Sequence, residues 1–216
     1  MKKIITLAAV IICILTAASA QKARFGFNGG LTLSSYKTKV EGETFTSKSK
    51  TGFTAGIFTD VTILKNLSFQ PALQYTQKGG VDKESLLGDD YKLTLTMNYL
   101  EIPFNFLYKF NSANTRFYIG GGPVLSFGLS GQLKVSAGGE HDKADLHFGK
   151  TEDDDLKQVD RGANILAGFE FKSGVSITFN YNMSFSNLVI DGDKNNYFHN
   201  GYAGVRLGYV LKEKKK

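Results

Sequence analysis

The chain has 216 residues, 42% of them hydrophobic and 21% charged, a size suited to one domain. Glycine is frequent at 24, proline rare at 3, and 17 Phe and 10 Tyr occur without any Trp, a balance that excludes collagen, coiled coil and disordered tails and points to strands. The formal charge of +6 falls to +4 without Lys2 and Lys3, and the tail from Lys212 to Lys216 carries +3 of what is left, so the body is nearly neutral and offers no basic face to nucleic acid.

Met1 to Ala20 reads as an export signal that is cleaved: Lys2-Lys3, an apolar stretch from Ile4 to Leu15, then the small-x-small site Ala18-Ser19-Ala20. Its apolar run is too short to span a bilayer as a helix. The expected organisation is therefore a signal peptide over 1–20 and a single barrel over 21–216 with a short lysine-rich tail. Cys13, the only cysteine, lies in the signal behind Val10-Ile11-Ile12, which is not a lipoprotein processing pattern. The rest of the chain has no thiol for a disulfide, a nucleophile or a metal site.

From there the chain alternates at period two. The first segment is Phe25, Phe27, Gly29, Leu31, Leu33; the second is Phe53, Ala55, Ile57, Thr59, Val61, Ile63. Lys65-Asn66 turns into Leu67, Phe69, Pro71, Leu73, Tyr75, whose partners on the other face are Ser68, Gln70, Ala72, Gln74 and Thr76. The fourth segment starts with Leu93, Leu95, Met97, Tyr99 and then changes parity to Leu100, Ile102, Phe104, Phe106, Tyr108, Phe110, which predicts a β-bulge near Tyr99. Phe117 to Leu129, Ala163 to Phe171, Val175 to Met183 and Ala203 to Leu211 complete eight segments of the length a tilted membrane strand needs.

The connections alternate in length. Residues 35–50, 77–90, 131–160 and 184–200 are long, whereas 65–66, 111–114 and 172–174 are short. In an up-and-down barrel every second connection lies at the same end, and outer-membrane barrels have short periplasmic turns and long outer loops. The expected fold is all-β, an eight-stranded antiparallel up-and-down transmembrane β-barrel with both termini on the periplasmic side of a Gram-negative outer membrane. A soluble lipocalin-like barrel around an apolar ligand shares the periodicity with its apolar face turned inward. Aromatic residues at the ends of the apolar faces (Phe25, Phe53, Tyr75, Phe110, Phe117, Tyr181 and Tyr209 among them) favour the membrane form, whose interfaces carry aromatic girdles.

The runs Phe69-Gln70-Pro71-Ala72-Leu73-Gln74-Tyr75-Thr76-Gln77-Lys78-Gly79-Gly80, Tyr99-Leu100-Glu101-Ile102-Pro103 and Phe117-Tyr118-Ile119-Gly120-Gly121-Gly122-Pro123 resemble the PorT-type outer-membrane β-barrel family of Bacteroidota. The resemblance extends along the whole chain after the signal. It implies an eight-stranded outer-membrane protein and, through the family's namesake, a link to protein secretion and gliding; most members have no assigned role. The strand Tyr202 to Tyr209 is similar to the signal by which barrel-assembly machinery recognises its clients.

If the apolar parity faces lipid, the other parity fills the lumen with Asp60, Gln70, Gln74, Glu101, Lys109, Arg116, Glu170 and Arg206. Charges in so narrow a space must pair, and Arg116 and Arg206 are expected to make bidentate contacts to Glu101 and Glu170. Such a network acts as a plug or as a proton or ion path, and eight strands leave room for little beyond side chains. Gly120-Gly121-Gly122 lies inside a strand, so it reads as close packing and not as a phosphate loop.

In the 131–160 connection His141, Asp142, Asp145, His147 and Glu152 to Asp155 are residue types that can hold a divalent cation, but they equally suit a solvated acidic loop. Asp191-Gly192-Asp193-Lys194-Asn195 opens like a calcium loop yet has Asn196 and Tyr202 where the sixth-place glycine and twelfth-place glutamate belong. A barrel hydrolase or acyltransferase would need His, Ser and a carboxylate at the rim, and His199 with Ser184, Ser186 and Asp191 is the set close in sequence. The expectation is a non-enzymatic barrel with no cofactor and no metal. Its partners would be outer-membrane lipid and lipopolysaccharide, the assembly machinery during insertion, and a protein partner of unknown class meeting the long loops or the lysine tail.

Overall fold

A computed structural model describes residues 23–86, 89–112, 114–137 and 140–211; the export signal, Cys13 and the lysine tail lie outside the described residues. Twelve strands follow one another: β1 (Ala23–Val40), β2 (Glu43–Thr46), β3 (Lys50–Leu64), β4 (Leu67–Leu86), β5 (Asp89–Asn111), β6 (Thr115–Ala137), β7 (Glu140–Leu146), β8 (Phe148–Gly149), β9 (Leu156–Lys157), β10 (Val159–Phe171), β11 (Val175–Ser184) and β12 (Tyr197–Val210). Eight of them, β1, β3, β4, β5, β6, β10, β11 and β12, pair antiparallel in a ring, which the β12–β1 ladder closes. The fold is an eight-stranded antiparallel up-and-down β-barrel with no sheet edge around the ring.

The two faces of the wall carry opposite chemistry. Large apolar residues stand outward and exposed, Leu31 at 63%, Ile57 at 62% and Leu207 at 62%, while Asp60, Gln74, Glu101, Asn105, Asn164, Asn180 and Arg206 are buried inside. This is the reverse of a water-soluble barrel, and water against such an apolar wall would cost ~25 cal/mol per Å². Aromatic side chains gather at the short-turn end of the band, with Phe27 and Tyr209 rings 5.9 Å apart, Phe110 and Phe117 5.6 Å, and Phe117 and Phe169 5.4 Å. Phe53 and Tyr75, 5.4 Å apart, mark the other end.

Two expectations need correction. Strand β5 does not flip: Leu95, Met97, Tyr99, Glu101, Asn105, Leu107 and Lys109 are buried in unbroken alternation, so one parity faces inward throughout. The apolar face changes because the surroundings change. Phe106, Tyr108 and Phe110 face outward within the band, whereas Leu95, Met97 and Tyr99 lie beyond it and turn toward an internal apolar core. The extra residue belongs to the neighbouring strand. Asn98 pairs with Ser130 and Tyr99 with Gly128, which leaves Leu129 of β6 as the bulge.

The second correction concerns the long connections. Residues 35–50, 77–90 and 131–160 are largely strand: β4 and β5 continue far past the band, β2 folds back on β1 and β7 folds back on β6. Glu41 and Gly42 make the β1–β2 turn with φ of 50° and 93°. These extensions form a head because their inward residues share a core: Tyr36, Leu95, Met97, Tyr99, Leu156 and Leu188, with Leu133, Leu146, Phe148 and Phe198 packed against it. Above the Leu129 bulge β7 replaces β10 as the neighbour of β6. Residues 185–196, by contrast, contain no strand, as expected for a long connection.

Candidate functional site

The lumen is layered. Nearest the short turns, Asp60 on β3 accepts from Arg24 on β1 at 2.7 Å and from Lys109 on β5; Glu170 on β10 is gripped by both ends of the Arg24 guanidinium and by Arg116 on β6 at 2.8 Å. Above this lies an uncharged layer. Asn164 donates to Asn105 at 3.0 Å, Asn180 donates to Asn164 at 3.2 Å, and Gln74 donates to Asn28 at 3.3 Å.

The third layer sits under the head. Lys78 on β4 is wholly enclosed, its Nζ 2.7 Å from Glu101 Oε1 and 3.8 Å from Asp160 Oδ2. Glu101 also accepts from Thr76 and Tyr202, each at 2.9 Å, and from Ser126 at 3.1 Å, while Asp160 accepts from Ser184 at 2.6 Å. The Lys78 ammonium lies over the Tyr99 ring at 4.8 Å and the Tyr202 ring at 5.5 Å. Groups from six strands thus join one network around this cation. A buried carboxylate that accepts from three hydroxyls and faces an ammonium at 2.7 Å has its charge and lone pairs matched within the protein.

Five of the six charged residues expected in the lumen divide among these layers. Asp60, Lys109, Arg116 and Glu170 share the lowest layer, and Glu101 belongs to the uppermost. Of the expected pairings, Arg116 does meet Glu170, beside a two-nitrogen grip on the same carboxylate from Arg24; Glu101 is held instead by Lys78 and hydroxyls, and Arg206 makes no ion pair among the described residues, its buried Nε lacking a partner. A cavity of about 20 Å³, room for one water, lies between Arg206, Asp60 and Lys109. Arg24, Lys78 and Asp160 were not expected. All three lie on the inward parity just beyond the residues at which the sequence pattern ends its strands.

The head does not bring the other candidates together. Among the described residues no three His, Cys, Asp or Glu side chains are grouped to hold a metal ion. His141 pairs with Ser136 at 3.0 Å, and Asp154 accepts from the amides of Lys150 and Thr151 and from the Thr151 hydroxyl. Those bonds, the hydroxyl's foremost, hold the exposed Asp154 carboxyl below its ordinary range. Asp193 Oδ1 accepts from the amides of Asn195 and Asn196, closing a polar turn. Ser184 bonds to Asp160, so the His199, Ser184 and Asp191 set makes no relay. The glycines of β6 serve packing: a Cβ on Gly120 would lie 2.0 Å from the Phe106 carbonyl oxygen, and one on Gly122 1.9 Å from that of Phe104.

Residues 19–190 match the family model described as an outer membrane protein beta-barrel domain. The chain belongs to this outer-membrane β-barrel family. Membership places the wall in a Gram-negative outer membrane. No curated protein matches the chain. Among solved structures it is similar to neisserial surface protein A, with 17% identity, 87% of this chain and 97% of that chain covered and a TM-score of 0.40. It is also similar to Ail, the attachment invasion locus protein of Yersinia pestis, at 16% identity, 88% and 99% coverage and a TM-score of 0.40. The outer membrane protease OmpT from Escherichia coli follows at 12% identity, 87% and 97% coverage and a TM-score of 0.30.

Proposed function

We propose that this barrel is a non-enzymatic, closed membrane anchor that presents a folded head outside the cell as an interaction surface, with both termini periplasmic. The observation that carries the reading is the lumen itself. Three layers of paired side chains fill its height, which leaves the head as the part free to meet a partner. The orientation follows the family's habit of short periplasmic turns. The runs resembling the PorT-type family converge on the upper seal, Lys78 from Gln77-Lys78-Gly79-Gly80 and Tyr99 with Glu101 from Tyr99-Leu100-Glu101-Ile102-Pro103. That convergence supports placing the chain in that branch and its head or lysine tail at a secretion or envelope assembly.

Planar-bilayer recording tests the closed lumen: no conductance steps are expected, and steady conductance would overturn it. Crosslinking in intact cells tests the surface. The wild type is compared with a variant in which Glu140, Asp142, Lys143 and Asp145, all exposed, become serine, and with a chain ending at Leu211. Loss of crosslinks in the serine variant is expected; loss only on removing the tail would move the interaction to the periplasm.

A further inference from the structure

Where β11, β12 and β1 leave the lipid band, the outer wall carries a notch of about 360 Å³. Its floor is low because small residues fall together: Ser35 lies opposite Gly201, and Ala203 is two residues further along the same face of β12. One end is walled by Leu33, Tyr181 and Met183, continuous with the exposed apolar band. At the other end Lys37 and His199 stand as direct cross-strand neighbours, with Thr46 beside them. No carboxylate lines the notch. Among the described residues Lys37 and Lys39, on the same outward face, have no ion-pair partner.

We propose that this notch binds one membrane lipid with an anionic phosphate headgroup. The phosphate sits against Lys37, with Lys39 next on the same outward face, and an acyl chain runs along Leu33, Tyr181 and Met183 over the Ala203 floor. A trough that is apolar toward the band and cationic toward water matches an amphiphile end for end. Free phosphate has no use for the apolar half. The inference rests on the membrane placement of the wall and not on the head's role, so a lipid count is independent of whether the head captures a partner.

The test is native mass spectrometry of the folded barrel, released from a neutral detergent after mixing with phosphatidylglycerol or phosphatidylcholine. One phosphatidylglycerol is expected to stay bound, with a preference of about thirtyfold over phosphatidylcholine, as two surface cations imply. Lys37→Glu with Lys39→Glu should abolish the preference, and Ala203→Phe should abolish retention by filling the floor. Heat-modifiable gel migration verifies that each variant is folded, and Ala203→Leu replaces Ala203→Phe if the larger side chain prevents folding. Excess inorganic phosphate should leave the count unchanged. Equal retention of the two lipids, retention indifferent to these substitutions, or displacement by inorganic phosphate would overturn the proposal.

Discussion

Lys78 is the most constrained side chain in the lumen, a cation with no exposed surface between two carboxylates and two tyrosine rings. Removing one member of a buried pair strands the other, at ~3–5 kcal/mol, whereas neutralising both Lys78 and Glu101 leaves only Asp160 of the group charged. Lys78→Met is therefore expected to lower stability by about that amount in urea unfolding from lipid vesicles, and Lys78→Met with Glu101→Gln should recover part of the loss; strictly additive losses would contradict the pairing. Asp154 shows the opposite setting, a carboxylate fully in water that orders its loop by accepting from Thr151 and Lys150. Its pKa is lowered in the fold, so its contribution is complete above the ordinary carboxylate pKa and is lost as pH falls through the depressed value. Amide exchange at Lys150 and Thr151, corrected for intrinsic rate, should keep its protection at neutral and mildly acidic pH and lose it only in stronger acid; loss beginning near neutrality would refute the carboxylate's role.

At the scale of the element, β5 passes from lipid to water without changing the face it turns inward, and only the solvent around it changes. Met97→Lys should loosen the head and raise protease susceptibility there while the barrel still inserts. Phe106→Lys should impair insertion, by ~2–4 kcal/mol if the residue lies near the midplane. Thr96→Lys, outward and above the band, should do neither. A bulge within β5 would have put Met97 and Phe106 on one face, and equal insertion defects at the two would restore that reading. The period-two pattern made the eight-stranded ring legible because lipid on one side and side-chain plug on the other are chemically unlike along the whole band. It misled where that contrast inverts, since Leu95 and Met97 alternate equally well whether the apolar side meets lipid or a core. Arg24, Lys78 and Asp160 escaped for a related reason: strands were ended where outward apolar residues stopped, although the ladders continue. Which acid each base would choose was not legible, because Arg24 reaches Glu170 and Lys109 reaches Asp60 across the lumen between strands that are not neighbours in the ladder.

At the scale of the whole molecule, the lumen holds barriers in series: the Arg24, Asp60, Lys109 and Glu170 layer, the asparagine and glutamine layer, and the Lys78 seal beneath the apolar head core. Barriers in series have a simple consequence for transport, because an ion must find room and hydration at every level and the tightest level limits the current. Cutting the upper seal with Lys78→Ala and Glu101→Ala removes two long side chains from one level and leaves the amide chain across Asn105, Asn164 and Asn180 intact below it. The double variant is thus expected to be as silent as the wild type in a planar bilayer, even though it is less stable and its head core is more accessible. Conductance steps in the double variant alone would mean that the Lys78 seal was the sole closure and that the two layers beneath it already pass ions. Steps in both proteins would mean that the lumen is a path, and the head would then be its gate.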